Sequence, residues 1–241
     1  MELENIIYPG FNKSLSELNA LSKVKKKSCE IVDLTEIEWV RDVLRHRVEE
    51  IGSYDIKFRK PTEEEIQTVS KIVGADIDMD ELKNNFHKNK RIIGITSGKG
   101  GVGKSTITSL LGIAFDELGK KVGIMDSDIW GYSVPKILGA KFPPIPFNER
   151  IFPSRINNLN VISMDYFVKQ DEAVIWRGPM LHKAIEQFLF EVLWHDIDIL
   201  LIDMPPGTGA VSYTHLRAHE TVLDLVCRLL REQKRGGGGG G

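Results

Sequence analysis

Eight consecutive residues restrict this chain more than any other stretch: Gly98-Lys99-Gly100-Gly101-Val102-Gly103-Lys104-Ser105. They fit the pattern G-x-x-x-x-G-K-[ST], and their flanks suit it. The β-branched run from Arg91 to Thr96 predicts a strand, and Ile107, Leu110, Leu111, Ala114, Phe115 and Leu118 recur at helical spacing. Glycines let successive backbone N–H groups converge on phosphate oxygens, and the start of the helix adds its partial positive charge. Lys104 is placed to reach the β- and γ-phosphates of ATP, and the Ser105 hydroxyl to ligate Mg2+. Thr106 completes a nucleotide-binding set that begins at Gly98. A flexible glycine turn is the alternative for the pattern alone, and the strand before it and helix after it argue against that.

Two more predicted strands end in carboxylates, as a magnesium- and water-handling site requires. Lys121 to Met125 delivers Asp126 and Asp128, and the apolar run Ile197 to Ile202 delivers Asp203, followed by Met204-Pro205-Pro206-Gly207-Thr208-Gly209. For Asp126 and Asp128, capping of a turn is the competing role. Between these strands, Pro179 opens a predicted amphipathic helix through Leu181, Ala184, Ile185, Phe188 and Leu189. His182 and His195 read as surface or helix-end residues.

The rest of the composition narrows the partners. With 241 residues, 41% hydrophobic content and a net charge of −2, the chain can bury a sizeable core. No basic excess suggests a nucleic-acid footprint, and no apolar run reaches the length of a membrane span. Met1 to Gly10 does not read as a secretory signal, so the expected location is cytoplasmic. The two cysteines, Cys29 and Cys227, stand far apart without a second thiol or histidine at metal-ligand spacing.

Ahead of the glycine loop, Leu18 to Phe58 predicts a small α/β unit. It comprises a strand near Val24, a turn at Lys25-Lys26-Lys27 and a strand from Cys29 to Leu34. A helix carrying Val40, Val43, Leu44, Val48 and Ile51 follows, with Thr35 as the expected N-cap and Gly52 as the stop. Tyr54, Ile56 and Phe58 alternate as a strand does, and Pro61 closes the unit. Lys60 to Lys90 reads as a connector with a short helix around Ile66, Val69, Ile72 and Val73. Its alternating Asp76, Asp78 and Asp80 lack the glycine and closing glutamate of a calcium loop and read as solvated.

Taken together, Lys99-Gly100-Gly101-Val102-Gly103-Lys104-Ser105 resembles the deviant Walker A loop of the MinD, nitrogenase iron protein and Mrp superfamily. The strings Asp126-Ser127-Asp128-Ile129-Trp130-Gly131 and Trp176-Arg177-Gly178-Pro179-Met180 are closer to the Mrp branch than to MinD or partition ATPases. The resemblance implies that Lys99 crosses a homodimer interface to the opposite nucleotide. It also implies that Asp128 sits at switch I and positions the attacking water, and that Asp203 ends a Walker B strand and holds Mg2+. Lys99, Lys104, Asp128 and Asp203 are then the catalytic set, with Ser105, Asp128 and Asp203 on the metal.

The small N-terminal unit resembles the iron–sulfur-assembly-associated domain that often precedes such ATPases. Ile7-Tyr8-Pro9-Gly10 stands where that family has Asp-Pro-Glu, which favours a docking or regulatory role over an active one. The implied activity is ATP hydrolysis coupled to assembly or transfer of an iron–sulfur cluster to apo-proteins. A MinD- or partition-type positioning ATPase and a non-hydrolysing cluster scaffold remain open at this point. The family's Cys-x-x-Cys cluster ligands do not occur in this chain.

The expected fold class is α/β: a C-terminally truncated P-loop NTPase with a mostly parallel sheet, preceded by a small α+β domain. The expected division is residues 1–60 for the small domain, 61–90 for a linker, 91–210 for the ATPase domain and 211–241 for a non-natural tail. The stretch Val211 to Thr221 resembles a translated transposase-based sequencing adapter, and Gly236 to Gly241 resembles the poly-G end of an exhausted read. An open sheet cut off after the Asp203 strand lacks the family's later strands and base-binding loop, and such a chain is expected to fold poorly.

Overall fold

The computed structural model describes residues 2–25, 27–78, 80–81, 90–128, 131, 133–167, 185–194 and 197–206. The expected tail, the histidines at 182 and 195 and the first half of the helix opened by Pro179 lie outside these residues. The described second half, 185–190, is helical and buries Ile185, Phe188 and Leu189.

A short hairpin opens the chain, β1 (Ile7–Tyr8) with β2 (Lys13–Ser14). A three-stranded sheet follows, built from β3 (Leu21–Lys25), β4 (Ser28–Val32) and β5 (Asp55–Arg59). The pair β3–β4 is antiparallel, and β4–β5 is parallel across the helix α1 (Glu38–Glu49). The outer strand β3 carries Lys23 and Lys25 on an exposed edge, a charge placement that discourages edge-to-edge pairing.

The N-cap of α1 is Ile37 and not Thr35. Asp33 accepts a hydrogen bond from the Glu36 N–H at 3.0 Å, and Glu36 adopts a left-handed φ of 55°. The backbone therefore cannot enter the helix until Glu38. At the other end the C-cap is Glu50, two residues before Gly52.

The expected connector is more than a tether. Its helix α2 (Glu63–Val73) begins with a reciprocal capping box between Thr62 and Glu65, and Gly74 ends it. Val69, Val73 and Ala75 are buried in the same apolar core as Tyr8, Phe11 and Leu44. Asp78 accepts from the N–H groups of Asp80 and Glu81, which makes it a local cap.

The main sheet contains β6 (Arg91–Ile95), β7 (Val122–Asp126), β10 (Ser154–Ile156), β11 (Leu159–Ser163) and β12 (Ile199–Asp203). Their order is β10-β11-β7-β12-β6, parallel except for the β10–β11 pair. Every residue of β7 and β12 is buried, as apolar runs covered on both faces should be. Helix α3 (Lys104–Glu117) follows β6, and the five-residue α4 (Val134–Leu138) follows β7.

A hairpin of β8 (Ile145–Phe147) and β9 (Arg150–Phe152) links α4 to β10. It is the bridge to the N-terminal unit: Phe11 meets Phe147 and Phe152 edge-on, with ring centroids 5.1 and 4.5 Å away. Gly10, at φ +84°, lets the backbone approach Ile145 so closely that a Cβ there would lie 2.2 Å from its Cδ1. One apolar core thus runs across the expected boundary between small domain and ATPase domain, joining Ile145, Phe147, Phe152 and Leu193 to residues of the first sixty.

Candidate functional site

The C-terminal ends of β6, β7 and β12 lie level, because Asp203 pairs in register with Ile95 on one side and Asp126 on the other. In an open α/β sheet this edge is where ligands bind. Between β6 and α3 the glycine loop turns the chain. Gly101 and Gly103 have φ of 73° and 88°, and no neighbouring atom lies within 4 Å of where their Cβ would stand. The glycines are therefore required by backbone conformation and not by crowding. Gly103 is the N-cap of α3 and supplies no side-chain cap, which leaves the first amides of the helix available to an anion.

A cavity of about 430 Å³ opens over this loop, lined by Gly100, Gly101, Gly103, Lys104, Ser105 and Thr106. Ser97, Asp128, Gly131, Ser133 and Pro206 complete its wall. Of the residues expected to bind nucleotide, Gly98, Lys99 and Val102 do not line it; Lys99 is exposed and Val102 is 57% exposed.

Beneath the loop the polar groups are paired with one another. Lys104 Nζ donates to Asp203 Oδ1 at 2.6 Å and lies 3.4 Å from Asp128 Oδ2. Ser105 Oγ donates to Asp203 Oδ2 at 2.5 Å, and Thr108 Oγ1 to Asp203 Oδ1 at 3.2 Å. Lys104 is 8% exposed, Asp128 7% and Asp203 not at all, so these charges hold one another in a place where an isolated ion would be costly. Ser105 and Asp128 line the cavity, and Asp203, buried behind it, accepts from the Ser105 hydroxyl; together they offer hard oxygen atoms of the kind that suit Mg2+.

The two aspartates after β7 have separate places. Asp128 faces the cavity. Asp126 is fully buried and accepts four hydrogen bonds: from Asp128 N–H on Oδ1, and from Ser133 N–H, Val134 N–H and Ser163 Oγ on Oδ2. The turn-capping alternative is thus the observed arrangement for Asp126. Burial, with the charge of Asp203 beside it, pushes the Asp126 carboxyl up to about 7.

The sign of the pH effect follows from that shift. A carboxyl raised in the fold binds more protons folded than unfolded between its ordinary value and about 7, so stability falls as pH rises through that window. Glu65, drawn down to about 2 by Arg59, contributes oppositely: its stabilisation is present above the ordinary carboxylate range and lost as pH falls toward 2. We expect a melting temperature that declines from pH 5 to pH 8, and a smaller decline in Asp126→Asn, measured by calorimetry across that range. An equal decline in both proteins would remove Asp126 as its source.

Sequence reasoning missed Thr108 and Ser127. Thr108 sits four residues after Lys104, one helical turn on, and that spacing was a usable signal. Ser127 donates from both its N–H and its Oγ to the Asp203 carbonyl, at 3.0 and 2.8 Å, tying the ends of β7 and β12 together. Only the strand pairing exposes that role.

A mostly parallel sheet with a glycine loop between its edge strand and a helix, and a buried aspartate facing the loop lysine, defines a P-loop nucleotide-binding protein. Residues 88–226 match the family model described as ParA, NUBPL iron-transfer P-loop NTPase. The chain belongs to that family. It is 33% identical over 223 residues to an iron–sulfur cluster carrier protein of Helicobacter pylori, covering 90% of this chain and 59% of that relative. To a protein of the same name from Rickettsia bellii it is 40% identical, over 77% of this chain and 56% of the relative. The chain therefore spans little more than half the length of these curated relatives. Among solved structures it is similar to a nucleotide-binding protein from Archaeoglobus fulgidus in complex with ADP, at 34% identity and a TM-score of 0.46, covering 57% of this chain and 54% of that one. Among the described residues no helix is long and apolar enough to cross a membrane.

Proposed function

We propose that this chain carries the nucleotide-handling part of a cytoplasmic iron–sulfur cluster carrier, in which ATP binding and hydrolysis gate the assembly or transfer of a cluster to apo-proteins. The observation that carries the reading is the convergence of Lys104, Ser105 and Thr108 on Asp203 beneath a loop of glycines. The names of the relatives supply the cluster as cargo.

In this reading the loop amides and Lys104 bind the β- and γ-phosphates, and Asp128 orients the attacking water from the cavity wall. Ser105, Asp128 and Asp203 would hold Mg2+, which neutralises phosphate charge when bound. Because the chemistry is positioning and charge neutralisation, turnover is slow, as suits a switch. Lys99 supports a homodimer: its exposed side chain stands outside the cavity lining and is available to a nucleotide bound by a second copy.

Titration calorimetry with ATP, in the presence and absence of Mg2+, tests the proposal. Binding should be stoichiometric and Mg2+-dependent, and Asp203→Asn should erase most of the Mg2+ dependence, a fall of about tenfold or more. An Asp203→Asn protein with unaltered Mg2+ dependence would contradict the metal assignment, and no ATP binding at all would contradict the function.

A further inference from the structure

Among the described residues, the segment Ser133 to Phe142 runs from the cavity to the N-terminal unit. At its near end Ser133 lines the cavity, and the Ser133 and Val134 amides are held by Asp126. The other oxygen of Asp126 holds the amide of Asp128, whose side chain faces Lys104 at 3.4 Å. The middle is α4, with proline at its second position and Gly139 in the left-handed conformation at its end. The Ala140 N–H closes the last turn onto the Pro135 carbonyl at 2.8 Å. At the far end the Phe142 ring stacks on Trp39 of α1, with centroids 4.6 Å apart and planes 14° from parallel. Pro143 and Pro144 then lead directly into β8 and the aromatic contacts with Phe11.

From this geometry we infer that filling of the cavity by nucleotide is transmitted along Ser133–Phe142 to the N-terminal unit and loosens its Trp39–Phe142 contact. The inference rests on the nucleotide reading above. A phosphate engaging Lys104 competes with Asp203 and Asp128 for its ammonium protons, and the longer contact, to Asp128 at 3.4 Å, is the one more readily given up. Asp128 then moves, and its backbone tie to Asp126 pulls on the carboxylate that fixes Ser133 and Val134. A stiff helical turn passes displacement on to its far end, where a groove of about 250 Å³ beside Tyr8, Trp39, Phe142 and Ile145 gives the ring room to shift. The stack and the self-paired Lys104 occur together in this structure, and in the inferred nucleotide-bound state both are weaker. By reciprocity, weakening the stack tightens nucleotide binding by the same factor that nucleotide weakens the stack.

Hydrogen exchange of the whole chain, with and without saturating Mg-ATP, tests this together with Phe142→Ala. Phe142 is 42% exposed and lies outside the nucleotide cavity, and Phe142→Leu serves as a milder second variant. ATP should slow exchange over 98–108 and speed it over 38–49 and 145–152. In Phe142→Ala the second change should vanish and ATP affinity should rise about fivefold, with Phe142→Leu in between. Protection at 98–108 with unchanged exchange at 38–49 and 145–152 overturns the coupling and leaves the nucleotide site standing. Absence of protection at 98–108 overturns the nucleotide reading, and the coupling with it.

Discussion

Lys104→Ala is expected to abolish ATP hydrolysis and also to weaken the fold. Removing a positioned charge from a phosphate-transfer site lowers turnover by about 10²–10³-fold or more. The second effect comes from what the side chain now holds. Asp203 is fully buried and Asp128 nearly so, and Lys104 is the cation bonded to one and paired with the other. Breaking a buried pair by deleting one partner costs about 3–5 kcal/mol, because the remaining charge stays out of water. Ser105 and Thr108 still donate to Asp203, which places this protein toward the lower end of that range.

Denaturant unfolding of Lys104→Ala beside Lys104→Met with Asp203→Asn separates the two effects. The double variant should recover much of the stability and none of the activity. Wild-type turnover in Lys104→Ala would sink the assignment of this lysine, and wild-type stability would sink the account of the buried pair.

Phe11→Ala should be the most damaging single truncation in the N-terminal unit. Phe11 is 5% exposed and meets Tyr8, Phe147 and Phe152 with ring centroids 5.3, 5.1 and 4.5 Å away. Truncating a buried Phe costs about 3–5 kcal/mol. Here the loss falls on the seam between the first sixty residues and the β8–β9 hairpin, so it should also split the unfolding transition. Far-ultraviolet dichroism and tryptophan fluorescence should give one coincident denaturation curve for the parent and two separated curves for the variant. Coincident curves with a loss below about 1 kcal/mol would show that the shared core does not couple the two parts.

Much of this was legible in the residues. The strand–loop–helix around Gly98 to Ser105, the three strand-end aspartates and the order of the N-terminal elements all rest on short-range periodicity and on residues with narrow conformational roles. The Thr35 cap failed because a left-handed Glu36, tied to Asp33, displaced the helix start by two residues. The hairpin between α4 and β10 had no reading in advance. Its strands are three residues each, too short for alternation to register, and their packing partners lie more than a hundred residues earlier.

By itself, then, the sequence determined that a glycine loop closing on a lysine stands between a strand and a helix, since glycine backbone freedom and a lysine at that spacing are local properties. Only the tertiary structure decided that Asp128 faces the cavity while Asp126 braces its wall. Two residues of the same type, two positions apart, are told apart by nothing but the groups that surround them: Lys104 for one, and four hydrogen-bond donors in a buried site for the other. The same holds for the N-terminal unit, whose attachment to the nucleotide half depends on aromatic contacts between segments far apart in the chain.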